Sequence, residues 1–198
     1  GEPDQAYRKA FEIDFIDAPI ARDMTAALVA GLAEVLSPEH ANKSPVARWK
    51  IFWSTMEKTD PFGFAEVPFA GRQLNKWMNK SRELVDRAGG VPKRLYELLE
   101  DEGKPVFWWD AHFTLLVALS TIEFCEQQPM AAMHFALDFG HDTDSYAQIV
   151  GCIIGAIYGA EIFPKRMRES VSRSLRRDYG EDIPAWIELL LSSNWSRV

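Results

Sequence analysis

Cysteine is scarce in this sequence. There are two, Cys125 and Cys152, in 198 residues. They form no C-x-x-C pair, and both fall in apolar stretches with a helical pattern. They read as buried free thiols in a reducing, cytoplasmic setting, not as a disulfide framework. H-E-x-x-H, G-x-S-x-G and G-x-x-x-x-G-K are all missing, which removes the zinc-peptidase, serine-hydrolase and phosphate-loop chemistries that those spacings carry. Basic residues are outnumbered, 22 Lys and Arg against 29 Asp and Glu, for a net charge of −7. A protein built to bind nucleic acid would show a basic face instead. No apolar run reaches the roughly 20 residues a bilayer needs; the nearest, residues 146–159, is interrupted by Gln148. No stretch has a clear period-two alternation of a half-buried strand, and no repeat or low-complexity tract is present. Neither membrane nor nucleic acid is expected as a partner, and the fold class is all-α.

What is present is a series of helix starts and stops. Asp17-Ala18-Pro19 reads as a start, with Asp17 as cap and Pro19 in the first turn, where its missing N–H costs nothing. Residues 17–36 follow with Met24, Leu28, Leu32 and Val35 at helical spacing, and Ser37-Pro38 ends them. Ser44-Pro45 opens the next helix, which carries Trp49, Phe52, Trp53 and Met56 and stops at Thr59-Asp60-Pro61. Residues 72–88 read as an amphipathic helix stopped by Gly89-Gly90. Residues 91–100 form a short helix ended by Gly103. Asp110 reads as the cap of an apolar helix over 111–127, and residues 129–139 form another helix. Residues 1–15 read as a polar lead-in that turns apolar. After residue 159 comes a basic stretch, Lys165 to Arg177, whose interleaved acids suit a solvated helix face. A last helix begins at Asp182-Ile183-Pro184 and would dock through Trp186, Ile187, Leu190 and Leu191. The prior from length is one domain, an orthogonal multi-helix bundle over residues 1–198.

Chemistry concentrates at Gly140-His141-Asp142-Thr143-Asp144-Ser145. Two carboxylates and two hydroxyls stand where a loop turns into a helix, and hard divalent cations take oxygen ligands of this kind. The plain alternative is that Asp142 merely caps the helix. Gly151, Gly155 and Gly159 follow at four-residue intervals on one face. Each costs about 1 kcal/mol against Ala inside a helix, so close approach of another helix is expected there. The loop over 61–71 holds Phe62, Phe64 and Phe69, which either line a ligand lid or fold back on the core. His112, in the first turn of its helix, is either a site residue or a hydrogen-bonded histidine at a helix start.

The run G-H-D-T-D-S-Y-A-Q-I-V-G-C-I-I-G-A-I-Y-G, with Ile162-Phe163-Pro164 after it, resembles the C-terminal signature of the ADP-ribosylglycohydrolase family. That family includes the dinitrogenase reductase-activating glycohydrolases and the ADP-ribosyl-acceptor hydrolases. The resemblance is specific over residues 140–164. It implies an all-α fold, a two-ion Mg²⁺ or Mn²⁺ centre, and hydrolysis of the glycosidic bond between ADP-ribose and its acceptor. It makes Asp142, Asp144 and Ser145 the metal ligands, with Ser145 in place of the usual Thr. His141 stands where the family has a second Gly, which places an imidazole beside the metals or the ribose and opens the possibility of another N-glycoside as substrate. Phe62, Phe64 and Phe69 become candidates for stacking on adenine.

The family's N-terminal T-D-D ligand motif is missing; Thr59-Asp60-Pro61 lacks the second Asp. The chain is therefore expected to be the C-terminal part of a larger ADP-ribosylglycohydrolase-like domain. The other metal ligands, and the general acid or base, would come from a segment outside it, with a separate chain as one form that segment could take. The competing expectation is a catalytically inactive module of the same fold that binds a nucleotide-sugar or a partner protein.

Overall fold

Five α-helices begin on proline. In this computed structural model α1 is Pro3–Ile13, α2 Pro19–Val35, α3 Pro45–Lys58, α5 Pro92–Gly103 and α7 Pro129–Asp138. Between and after them lie α4 (Gln73–Ala88), α6 (Ala111–Phe124), α8 (Thr143–Tyr158), α9 (Lys165–Tyr179) and α10 (Ile183–Ser192). The structure describes residues 1–66, 72–103, 110–180 and 182–192, with the side chains of 190 and 191 excepted. Phe69 and the expected docking contacts of Leu190 and Leu191 lie outside the described residues. Among the described residues there is no strand, and the protein is all-α. No described helix is long and apolar enough to cross a membrane.

Two compact units emerge, Gly1–Gly159 and Ala160–Val198. In the first, α6 is the central rod. Every residue from Phe113 to Ile122 is buried, as expected for a helix apolar on all sides, and α4, α8, α7, α2 and α5 pack around it. Phe124 ends it because Glu126 and Gln127 both adopt positive φ, 49° and 61°, which no helix continues.

The N-terminal lead-in is a helix. Tyr7 and Phe11, four residues apart, fall on one face of α1, and Tyr7 is fully buried against α2. Its hydroxyl donates to Asp23 Oδ1 at 2.5 Å. Arg72 grips the same carboxylate, Nη2 to Oδ1 at 2.6 Å and Nε to Oδ2 at 3.0 Å. Arg72 also donates through Nη1 to the carbonyls of Met56 and Glu57 at the end of α3. Burial, and then Asp23, raise the Tyr7 pKa, so the phenol stays protonated.

Some expectations are revised. Cys152 is exposed and Cys125 half-buried; burial pushes the Cys125 thiol up to about 11. A methyl on Gly151 would meet only Met133 Sδ at 3.7 Å, an ordinary contact. Gly159 is an exposed helix terminus with φ +84°. The close helix approach expected at these two glycines is therefore not there. It occurs at Gly31 in α2, where a Cβ would come within 2.8 Å of the Phe52 ring.

In the second unit, α9 buries no residue. Arg168 forms a two-pronged pair with Glu161, both contacts 2.6 Å. Trp186 and Ile187 are exposed, so the docking expected of them is not seen.

Candidate functional site

The turn into α8 is left-handed. Gly140 has φ +87° and His141 φ +59°. A residue with a Cβ pays roughly 1–2 kcal/mol there, which is a physical reason to favour Gly at the position His141 occupies. Contacts compensate His141: Nε2 lies 3.0 Å from Glu100 Oε1 on α5, and the ring meets Phe139 edge-on at 5.5 Å. The imidazole is thereby turned towards α5.

Asp142 follows at the N-cap position of α8, but its side chain makes no cap hydrogen bond. Its Oδ2 is buried and has no hydrogen-bond partner. A carboxylate oxygen taken from water without a partner is costly. Its neighbour Tyr146 is fully buried, with a hydroxyl hydrogen-bonded to the Asp142 backbone; burial first of all pushes that phenol up to about 12.

Asp142 and Ser145 open onto a cavity of about 480 Å³. The polar part of its wall is Asp17, Thr25, Thr114, Asp142, Ser145 and Gln148, and the apolar part includes Met24, Leu28, Leu115 and Ile149. Asp144 is exposed one step further along the turn and does not line this cavity. The donors that do line it are carboxylate and hydroxyl oxygens with one orphaned buried oxygen among them, a set that fits Mg²⁺ or Mn²⁺.

The other sequence candidates stand elsewhere. Phe62 and Phe64 fold back on α1, with ring centroids 4.9 and 5.7 Å from Phe11. The Asp60 carboxylate holds that turn through the Phe64 and Ala65 amides at 2.9 and 2.7 Å. His112 stacks on Trp77 at 4.5 Å, and burial lowers its pKa. It sits between Ala111 and the 114–115 pair, off the face of α6 that lines the cavity. His40, expected in a polar loop, is buried, with Nε2 2.8 Å from Glu34 Oε1 and 3.3 Å from Glu39 Oε1. Among the described residues this trio alone brings three His, Cys, Asp or Glu ligand atoms within 4.8 Å of one another. The short His40–Glu34 contact is already complete as a hydrogen bond.

Sequence reasoning missed Asp17 and Thr114. The signal for Asp17 was present. In Asp17-Ala18-Pro19 the proline fixes the first helical position, so Ala18 is the N-cap and Asp17 lies outside the helix. In Ser44-Pro45 the cap directly precedes the proline, and Ser44 Oγ does accept the Ala47 amide, at 3.3 Å.

The model of one known family, the ADP-ribosylglycohydrolases, matches residues 1–196. The chain belongs to the ADP-ribosylglycohydrolase family. The match extends well beyond the 140–164 signature, over both compact units. No curated protein and no solved structure matches the chain.

Proposed function

We propose that this member of the ADP-ribosylglycohydrolase family is a metal-dependent hydrolase that cleaves the glycosidic bond between ADP-ribose, or a related nucleotide-sugar, and its acceptor, at the cavity beside the start of α8. The observation that carries the reading is Asp142. It occupies a cap position without capping, and its Oδ2 is buried without a partner. Asp142 and Ser145 would hold a Mg²⁺ or Mn²⁺ ion, and Asp144, on the solvent side of the same turn, would serve a second. Such ions, when bound, supply Lewis-acid stabilisation of charge developing at the breaking bond. The protein's own residues do the rest. The α8 turn places Asp142 on the cavity wall with its carboxylate uncommitted to the helix end. Met24, Leu28, Leu115 and Ile149 offer the ribose an apolar wall that keeps bulk water from one face. The acceptor is an ADP-ribosylated side chain or small molecule.

The test is release of ADP-ribose from an ADP-ribosylated substrate by the wild type and by Asp142→Asn and Asp144→Asn. We expect Asp142→Asn to lose at least about 100-fold in metal-dependent rate, the scale of a lost direct metal contact, with the melting temperature preserved. Hydrolysis at the wild-type rate with unchanged metal dependence would sink the proposal. Tight ADP-ribose binding by a wild type without turnover would replace it with a binding module.

A further inference from the structure

The connection from α2 to α3 gathers a second group of metal-ligating side chains. α2 ends at Val35, and a short 3₁₀ turn, Pro38–His40, carries the chain back on itself. The Ser37 amide donates to the Glu34 carbonyl at 3.0 Å and the His40 amide to the Ser37 carbonyl at 2.9 Å. These bonds return Glu39 and His40 to the last turn of α2, beside Glu34. His40 Nε2 lies 2.8 Å from Glu34 Oε1 and 3.3 Å from Glu39 Oε1, and the three ligand atoms all stand within 4.8 Å of one another.

Two features set this trio apart from a surface cluster of acids. The His40 side chain is only 8% exposed and aims one nitrogen at both carboxylates, while its Nδ1 is buried with no hydrogen-bond partner. The two carboxylates are thus all that the ring engages through its nitrogens. Among the described residues, neither carboxylate pairs with a lysine, an arginine or the amino terminus. Arg48, close by in the chain, gives Nη1 and Nη2 to the Ile157 and Val35 carbonyls. A proton on Nε2 answers one carboxylate at most, whereas a divalent ion answers both.

We infer that Glu34, Glu39 and His40 form a Zn²⁺ site that clasps the α2–α3 connection. One imidazole nitrogen and two carboxylates are ligands zinc takes, with water in the fourth position. Around a tetrahedral Zn²⁺ at about 2.0–2.2 Å from each ligand, neighbouring ligand atoms stand about 3.4 Å apart, so small rotations of the glutamates suffice. The zinc-bound ring carries its proton on Nδ1, and burying that N–H without an acceptor holds the affinity below that of a four-ligand structural site. The site is separate from the cavity beside α8. Leu28, the last α2 residue on that cavity's wall, is about 9 Å along the helix from Glu34. The inference does not depend on the hydrolase reading.

The experiment is a calorimetric titration of Zn²⁺ into the intact chain in excess Mg²⁺, which fills all-oxygen sites and competes poorly for a nitrogen ligand. It compares the wild type with Glu34→Gln, Glu39→Gln, His40→Gln and Asp142→Asn. We expect the wild type to bind zinc and each of the first three variants to lose at least about tenfold in affinity, since even outer-shell partners of a bound metal are worth about 10–100-fold. Asp142→Asn should bind as the wild type does. Zn²⁺ should also raise the melting temperature of the wild type and leave that of His40→Gln unchanged, because an ion bound only to the native state stabilises it. Glu39 is 69% exposed, so Glu39→Gln tests the site even where His40→Gln unfolds. A wild type that binds no Zn²⁺ overturns the inference. So does wild-type affinity in any folded variant of the trio, which puts the ion elsewhere, or binding lost in Asp142→Asn, which puts it at the α8 turn. Failure of the α8 metal reading would leave this titration unchanged.

Discussion

At the residue scale, the Asp23–Arg72 pair is an ion pair buried in the interior. Both side chains are almost wholly buried, at 6% and 1% exposure, and Tyr7 shares the carboxylate. Taking two charges out of water is repaid only while both partners are present and hydrogen-bonded. Arg72→Ala leaves Asp23 buried and unpaired, and it should destabilise the protein by about 3–5 kcal/mol in urea unfolding. The double replacement Asp23→Leu/Arg72→Met should cost clearly less, because it removes both charges together. If the double variant is as unstable as the single one, the pair is not the electrostatic unit described. Asp142 presents the same physics with a different outcome: its buried oxygen has no protein partner, and it is at the site, not in the core.

At the element scale, two helical glycines make opposite predictions. Gly31 lets α2 lie on α3, and a methyl there would push into Phe52 at 2.8 Å and Met56 at 3.0 Å. Gly31→Ala should therefore lose about 1–3 kcal/mol by overpacking. On α8, a methyl at Gly151 finds only Met133 at 3.7 Å. Gly151→Ala should gain up to about 1 kcal/mol from helix propensity alone. Thermal melts of the two variants give the signs. A destabilised Gly151→Ala would restore the idea of a crowded α8 face. The helix ends follow similarly local rules. Ser44 caps α3 through its hydroxyl, while Asp142, at the cap position of α8, makes no cap bond with its carboxylate.

At the scale of the whole molecule, every buried apolar side chain among the described residues, from Tyr7 to Ile157, belongs to the first unit. A chain ending at Gly159 should therefore keep its cooperative unfolding, with a Tm within a few degrees of the full chain, since the area buried on folding supplies most of the stability. A molten or aggregated product, seen by near-ultraviolet circular dichroism and light scattering, would mean that residues 160–198 are part of the core after all.

The sequence by itself determined the helices after α1 and the turn at residues 140–145. Prolines at first helical positions, Gly89 at the end of α4 and apolar spacing act over a few residues, so they can be read without knowing the fold. The α1 helix escaped because its stripe is short and is completed by burial of Tyr7 against α2. Only the tertiary structure decided which polar groups meet. Asp23 and Arg72, which pair in the core, and Thr114 and Asp142, which line one cavity, lie far apart along the chain. Their encounter is set by how α2, α4 and α8 pack on α6, and packing depends on the summed shape of many side chains, not on any local signal.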